Sequence, residues 1–177
     1  KLLYALTNKY KKYNLRLIAH NAGYDLRFIM KHLSQISLIE RGKMLLRGDA
    51  EFYIRSGYSI RVQIQDSYAL IPSPLRDFGD MFKLDVEKEI MPYNLYTKAN
   101  VSKKIIPTDV CIEACKKQYK NNNIGCDVNK DDEDEYVKKF MDNANKWNCI
   151  TNKGINIIRY SSIYCKYDCD VLQKGYE

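Results

Sequence analysis

The chain has 177 residues, a formal net charge of +7, 45% hydrophobic residues and 29% charged residues. That balance suits one soluble globular domain and excludes a disordered chain. No apolar run reaches the ~18 residues that span a bilayer, and the Lys-studded opening KLLYALTNKYKKYN has no small-residue cleavage site, so membrane and secreted classes drop out and an intracellular chain is expected.

Charge is unevenly spread. Residues 1 to 60 hold eleven Lys/Arg against four acids, whereas the remainder holds eighteen of each sign. Such a basic half is compatible with a polyanionic partner, since each neutralised phosphate releases counterions; a Lys-rich solvated surface is the other reading. Six cysteines stand at 111, 115, 126, 149, 165 and 169, without a C-x-x-C pair. Their spacing is not that of a zinc ribbon or finger, and free thiols in a reducing compartment are expected.

In chain order, Leu2, Leu3, Leu6 and Tyr10 predict a helix over residues 1 to 13. Leu15 to Asn21 reads as a short buried strand ending in polar residues, and Tyr24 to Leu33 returns to helical spacing. From Ser37 to Gln65, SLIER, KMLLR, EFYIR and SIRVQIQ predict four antiparallel strands broken at Gly42, Gly48 and Gly57. Pro72 and Pro74 precede a helix over Leu75 to Phe82. Residues 94 to 130 are irregular and rich in Lys and Asn, and six acids crowd Asp127 to Glu135 as a solvated loop or helix start. Glu135 to Trp147 is amphipathic, and Ile157 to Gly175 predicts a closing helix. No repeat is visible, and the order of elements points to an α/β or α+β sheet domain covered by helices.

Three strings carry the chemistry. In His20-Asn21-Ala22-Gly23-Tyr24-Asp25, an Asn, an aromatic and an acid stand where a strand hands over to a helix. Asp25 there can face a site at the sheet edge, or cap the helix. In Tyr164-Cys165-Lys166-Tyr167-Asp168, Tyr164 and Asp168 share a helix face one turn apart. That spacing suits a metal-holding carboxylate and a water-orienting phenol, or equally a core Tyr beside an exposed Asp. The third is Asp66-Ser67-Tyr68 with its Pro-containing turn, followed by the segment from Met81 to Lys88; a hydroxyl at a strand end and a Lys beyond a turn can both touch a phosphate backbone.

Taken in order, the HN-x-x-YD-x-x-FI string, the Ser-Pro turn, the F-K-L-x-V-x-K segment and the closing Y-x-x-x-D resemble the 3′–5′ exonuclease domain of family B DNA polymerases, most closely the protein-primed branch of viruses, linear plasmids and mobile elements. The resemblance is dense over residues 14 to 93 and 157 to 177, with 94 to 156 as an insertion or divergent segment. It implies a ribonuclease H-like exonuclease fold, a mixed sheet covered by helices, incomplete at its N-terminus, over residues 1 to 177 with no polymerase domain. It implies a site with Mg²⁺ or Mn²⁺ as a two-metal pair, in which Asp25 and Asp168 are metal-holding carboxylates, Tyr164 positions the attacking water, and Lys88, with Met91 and Tyr93 after it, approaches the scissile phosphate. Asn21, Tyr24 and Ser67 are implied ligands of the single-stranded 3′ end of DNA, with Tyr68 standing where Leu is usual. A terminal priming protein is an implied partner. His20 and His32 are given no catalytic part.

One departure stands out. The family's first motif, an Asp-x-Glu, is missing: none of the 24 residues before Asp25 is acidic. The expectation is therefore a fragment of a DNA-directed DNA polymerase, inactive alone; a degenerate nuclease fold that binds single-stranded nucleic acid without catalysis is the alternative.

Overall fold

The computed structural model describes residues 14–42, 44–54, 58–86, 88–123 and 129–177. The helix expected over residues 1 to 13 and Cys126 lie outside them. The chain divides into two compact units, one running to Lys83 and taking in Leu172–Glu177, the other running from Leu84 to Val171. No helix among the described residues is long and apolar enough to cross a membrane.

The first unit is built on a mixed four-stranded sheet. Its elements are β1 (Leu15–Ala19), α1 (Ala22–Ile29), β2 (Ser34–Arg41), β3 (Met44–Ile54), β4 (Tyr58–Asp66) and a short α2 (Phe78–Phe82). The strand order is β1-β4-β3-β2, with β1 parallel to β4 and the other pairs antiparallel. Strand alternation puts Val62 and Ile64 of β4 and Phe52 of β3 on one face, where Val62, Ile64 and Leu45 are buried with Ala22 and Leu26 of α1 and Leu15, Leu17 and Leu38 pack around them. The in-between positions carry polar residues, where Asp49 accepts from Arg47 at 2.9 Å and from Arg61 at 3.2 Å.

Two expectations change here. The described parts of KMLLR and EFYIR, Met44–Arg47 and Glu51–Ile54, are one eleven-residue strand, not two. Gly48 does not turn the chain; it lies inside β3 where an added Cβ would stand 3.1 Å from a Leu38 methyl and 3.4 Å from the Ile64 Cβ, so its small size serves close packing. The helix expected over Tyr24 to Leu33 starts two residues earlier and gives way after Ile29 to a 3-10 turn over Met30–His32.

The second unit holds the segment read as irregular, and it is mostly helical. β5 (Ile105–Ile106) is followed by α3 (Thr108–Asn122), α4 (Lys130–Lys146), β6 (Ile150–Thr151), β7 (Gly154–Asn156) and α5 (Ile157–Tyr176), whose last residues belong to the first unit. Three acids of the run stand in the first turn of α4: Asn129 accepts the Asp131 amide as N-cap, and Asp131, Asp132 and Glu133 lie at the positive end of the helix dipole. Glu133 is buried and pairs with Lys120 of α3 at 3.2 Å, tying the two helices together. α4 stops because Asn148 takes a left-handed conformation (φ 52), which lets the Cys149 amide reach back to the Ala144 carbonyl at 2.8 Å.

The core of this unit gathers Leu95, Ile106, Cys111, Cys115, Phe140, Ala144, Trp147, Ile155, Tyr160 and Tyr164. Burial pushes the thiols of Cys111 and Cys115 up to about 11 and about 12, so they are packing groups, not nucleophiles. Cys165 and Cys169 are exposed, and the five described cysteines are free. Gly154 closes the β6–β7 hairpin at φ 131, and a Cβ there would stand 2.1 Å from the Ile106 carbonyl oxygen. Replacing Gly154 with Ala should therefore cost about 3 kcal/mol, combining a backbone region reserved for glycine with a backbone clash. A lowered urea midpoint measures it; an unchanged midpoint would show that the hairpin relaxes freely.

Candidate active site

Parallel pairing of β1 with β4, in the register Ala19 to Asp66, brings the C-terminal ends of the two strands side by side. In open α/β sheets, ligand sites gather at that end of parallel strands. The chain turns there from β1 into α1 through Asn21, which is left-handed at φ 61 and ψ 51. Asn is among the few non-glycine residues that tolerate this conformation. α1 buries Ala22 and Leu26 against the sheet and leaves Asn21, Tyr24, Asp25 and Phe28 exposed. Tyr24 is 63% exposed and Phe28 60%, and their rings meet edge to face with centroids 5.2 Å apart.

Asp25 lies within the first turn of α1 and is not its cap, because the N-cap is Asn21. Partial burial raises its pKa above the ordinary carboxylate value; its own backbone N–H opposes the rise and the nearby charge of Asp66 adds to it.

Behind the turn stands Asp66, 2% exposed. One carboxylate oxygen accepts the Asn21 N–H at 2.8 Å and the Tyr68 N–H at 2.9 Å, and the other accepts the Ala22 N–H at 3.0 Å. Ser67 is fully buried and donates to the Ala19 carbonyl at 3.3 Å, with His20 Nδ1 at 3.0 Å from its oxygen. Ser67 thus sits under the turn, where its hydroxyl braces the end of β1. Charge-assisted bonds of the Asp66 kind are worth about 1.5–3 kcal/mol each, and the carboxylate balances its burial through three of them.

The other candidates lie in the second unit. Tyr164 and Asp168 sit one turn apart on α5, as their spacing predicts. Tyr164 is buried and its hydroxyl lies 2.9 Å from the hydroxyl of Tyr93. Lys88 approaches Asp168 at 3.7 Å, with the two side chains 29% and 23% exposed. Asp168 Oδ1 is buried and has no hydrogen-bond partner. Burial raises the Asp168 pKa despite the opposing Lys88 charge and Tyr164 hydroxyl. Burial, the Tyr93 hydroxyl and the Asp168 charge push the Tyr164 phenol far above its ordinary value, so it stays neutral. The structure thus brings Asn21, Tyr24, Asp25 and Ser67 together in one unit, and Lys88, Tyr164 and Asp168 in the other.

A sequence model of organellar and viral type B DNA polymerases matches residues 6–174, across both units. The chain belongs to that family. Among solved structures, this polymerase chain is similar to Phi29 DNA polymerase complexed with single-stranded DNA, at 19% identity and a TM-score of 0.40, over 77% of this chain and 28% of that one. It therefore spans little more than a quarter of the polymerase it resembles. No curated protein matches it.

In the sequence Asp66 only opens the third string and Tyr93 only follows Lys88 and Met91, without a role of their own. Asp66 alone left a signal. Asp66 continues the core-facing alternation of Ile60, Val62 and Ile64, so an acid stands where the pattern calls for a hydrocarbon. Tyr93 shows itself only by its contact with Tyr164, which no local spacing announces.

The Asp168 environment makes a testable stability statement. Its raised pKa means that the folded chain holds this proton more tightly than the unfolded chain, so stability falls as pH rises from the ordinary carboxylate value through the raised one. Asp168→Asn should raise Tm at pH 7, and the gain should vanish below about pH 4, where the native carboxyl is also neutral. Paired thermal melts at the two pH values check the sign; a loss of Tm at pH 7 would mean that the Lys88 pair outweighs burial.

Proposed function

We propose that this chain is the 3′–5′ proofreading exonuclease region of a protein-primed type B DNA polymerase, with a ribonuclease H-like fold and residues 94 to 156 as an added helical segment. The observation that carries it is Asp168: its Oδ1 is buried without a hydrogen-bond partner, its Oδ2 stands 3.7 Å from Lys88, and the neutral phenol of Tyr164 lies one helical turn away. An orphaned carboxylate oxygen is costly unless a cation or a polar ligand meets it. Hard carboxylate donors fit Mg²⁺ or Mn²⁺ better than zinc. Among the described residues no three His, Cys, Asp or Glu side chains cluster, and Asp25 and Asp168 belong to different units.

When bound, a divalent cation supplies charge neutralisation for the phosphodiester and acidifies its water. The chain's own residues do the rest. Tyr164, held neutral and oriented by Tyr93, can hydrogen-bond and aim an attacking water but cannot take its proton. Lys88 adds a positive charge beside the carboxylate, where a phosphate oxygen would gather negative charge. Tyr24 and Phe28 offer exposed rings on which unstacked bases can lie, worth about 1–3 kcal/mol per base, and Asn21 offers an exposed amide beside them. The DNA 3′ end is the substrate, and a terminal protein is the expected partner of the parent polymerase.

The test uses a labelled single-stranded oligonucleotide with a free 3′ hydroxyl. Mn²⁺ should tighten its binding about tenfold, an effect lost in Asp168→Asn and in Asp25→Asn. Tyr24→Ala should weaken binding about tenfold with or without the cation. Binding that ignores the cation and both carboxylates, while falling steeply with salt, would instead support a single-strand-binding module without catalysis, the reading favoured by the basic first 60 residues.

A further inference from the structure

Four features meet at the β1–α1 turn. Asn21 holds a left-handed conformation without a side-chain cap bond, so the turn is not self-sustained by local capping. The residues proposed to meet DNA, Asn21, Tyr24 and Asp25, all leave from this turn or the first turn of the helix after it. Two successive amides of the turn point inward to one carboxylate, 45 residues distant for Asn21 and 44 for Ala22. That carboxylate is held in turn by the Tyr68 amide, which fixes its rotamer at the end of β4.

We infer that Asp66 is a positioning residue for single-strand recognition: it never reaches the ligand, but its carboxylate locks the β1–α1 turn in the conformation that presents Asn21, Tyr24 and Asp25. The inference rests on the reading of this turn as a DNA 3′-end site. Its physical basis is directional. A carboxylate accepts on both oxygens, and here the two oxygens divide the Asn21 and Ala22 amides between them. An asparagine of the same shape would accept on one side and place an NH₂ against a backbone N–H on the other, so one amide of the turn would be released while the fold keeps its volume. An error of an ångström at such a site is felt strongly in recognition, since ring and amide must meet the strand together.

The experiment is a double-mutant cycle on the 177-residue chain, reading the affinity for a fluorescein-labelled oligothymidylate by anisotropy. Asp66→Asn should weaken binding about tenfold, with circular dichroism and the salt dependence of binding unchanged, because no phosphate contact is removed. Tyr24→Ala, at an exposed position, should weaken it similarly. The decisive reading is the double variant, which should bind little worse than either single one, because Asp66 acts through the ring that Tyr24→Ala has already removed. Losses that multiply, or an Asp66→Asn variant that binds normally beside a weakened Tyr24→Ala, would overturn the inference and leave the DNA site standing. If both single variants bind as the unaltered chain does, the DNA reading itself fails and the inference with it. Should Asp66→Asn not fold, amide exchange in the unaltered chain decides: Asn21 and Ala22 should be protected at least about hundredfold, and free exchange would show that the tether is not held in solution.

Discussion

A buried carboxylate with three backbone donors is the constraint on which the first unit turns. Asp66 ends β4 on the hydrophobic side of the sheet, where an unpartnered charge would be prohibitively costly. It is tolerated because the parallel neighbour β1 ends at the same level and delivers the Asn21 and Ala22 amides, while the chain after β4 curls back to deliver Tyr68. One side chain thus fixes strand register, the left-handed step at Asn21 and the direction in which α1 leaves the sheet. A helix of eight residues has little intrinsic stability, so its placement depends on this anchor and on Ala22 and Leu26 beneath it.

The second unit meets the same problem from the opposite side. Asp168 is also pulled into the protein, but one of its oxygens has no partner and its pKa rises. Asp66 has three backbone donors, whereas Asp168 has Lys88 beside one oxygen and no partner on the other. That contrast lies in hydrogen-bond partners rather than in acidity itself. Tyr164 belongs to the hydrophobic core of this unit, and its hydroxyl meets that of Tyr93, which is largely exposed.

The second unit shows how small apolar residues hide a helix. Residues 94 to 130, rich in Lys and Asn, read as irregular, yet α3 runs from Thr108 to Asn122 within them; of the two readings open for the acid run the helix start holds, with Asp131, Asp132 and Glu133 in the first turn of α4 and Glu133 turned inward to Lys120. α3 buries Cys111, Ala114 and Cys115, which are small, and the polar residues between them obscured the stripe.

By itself the sequence determined the local events: the alternation of β4, a strand before Asn21 (though at the sheet edge and only half-buried), the one-turn pairing of Tyr164 with Asp168, and the ordered strings that mark a type B polymerase. Those are short-range consequences of side-chain period and backbone preference, and they survive any packing. Only the tertiary structure decided that the described parts of KMLLR and EFYIR are one strand, since Gly48 is a break or a close contact depending on what lies opposite it. It alone decided that Asp66 is a tether, that Ser67 faces inward to Ala19, and that Tyr93 backs Tyr164. Each of those facts joins residues tens of positions apart, and hydrogen-bond partners at that separation are set by how the elements fold against one another, which no window of sequence contains.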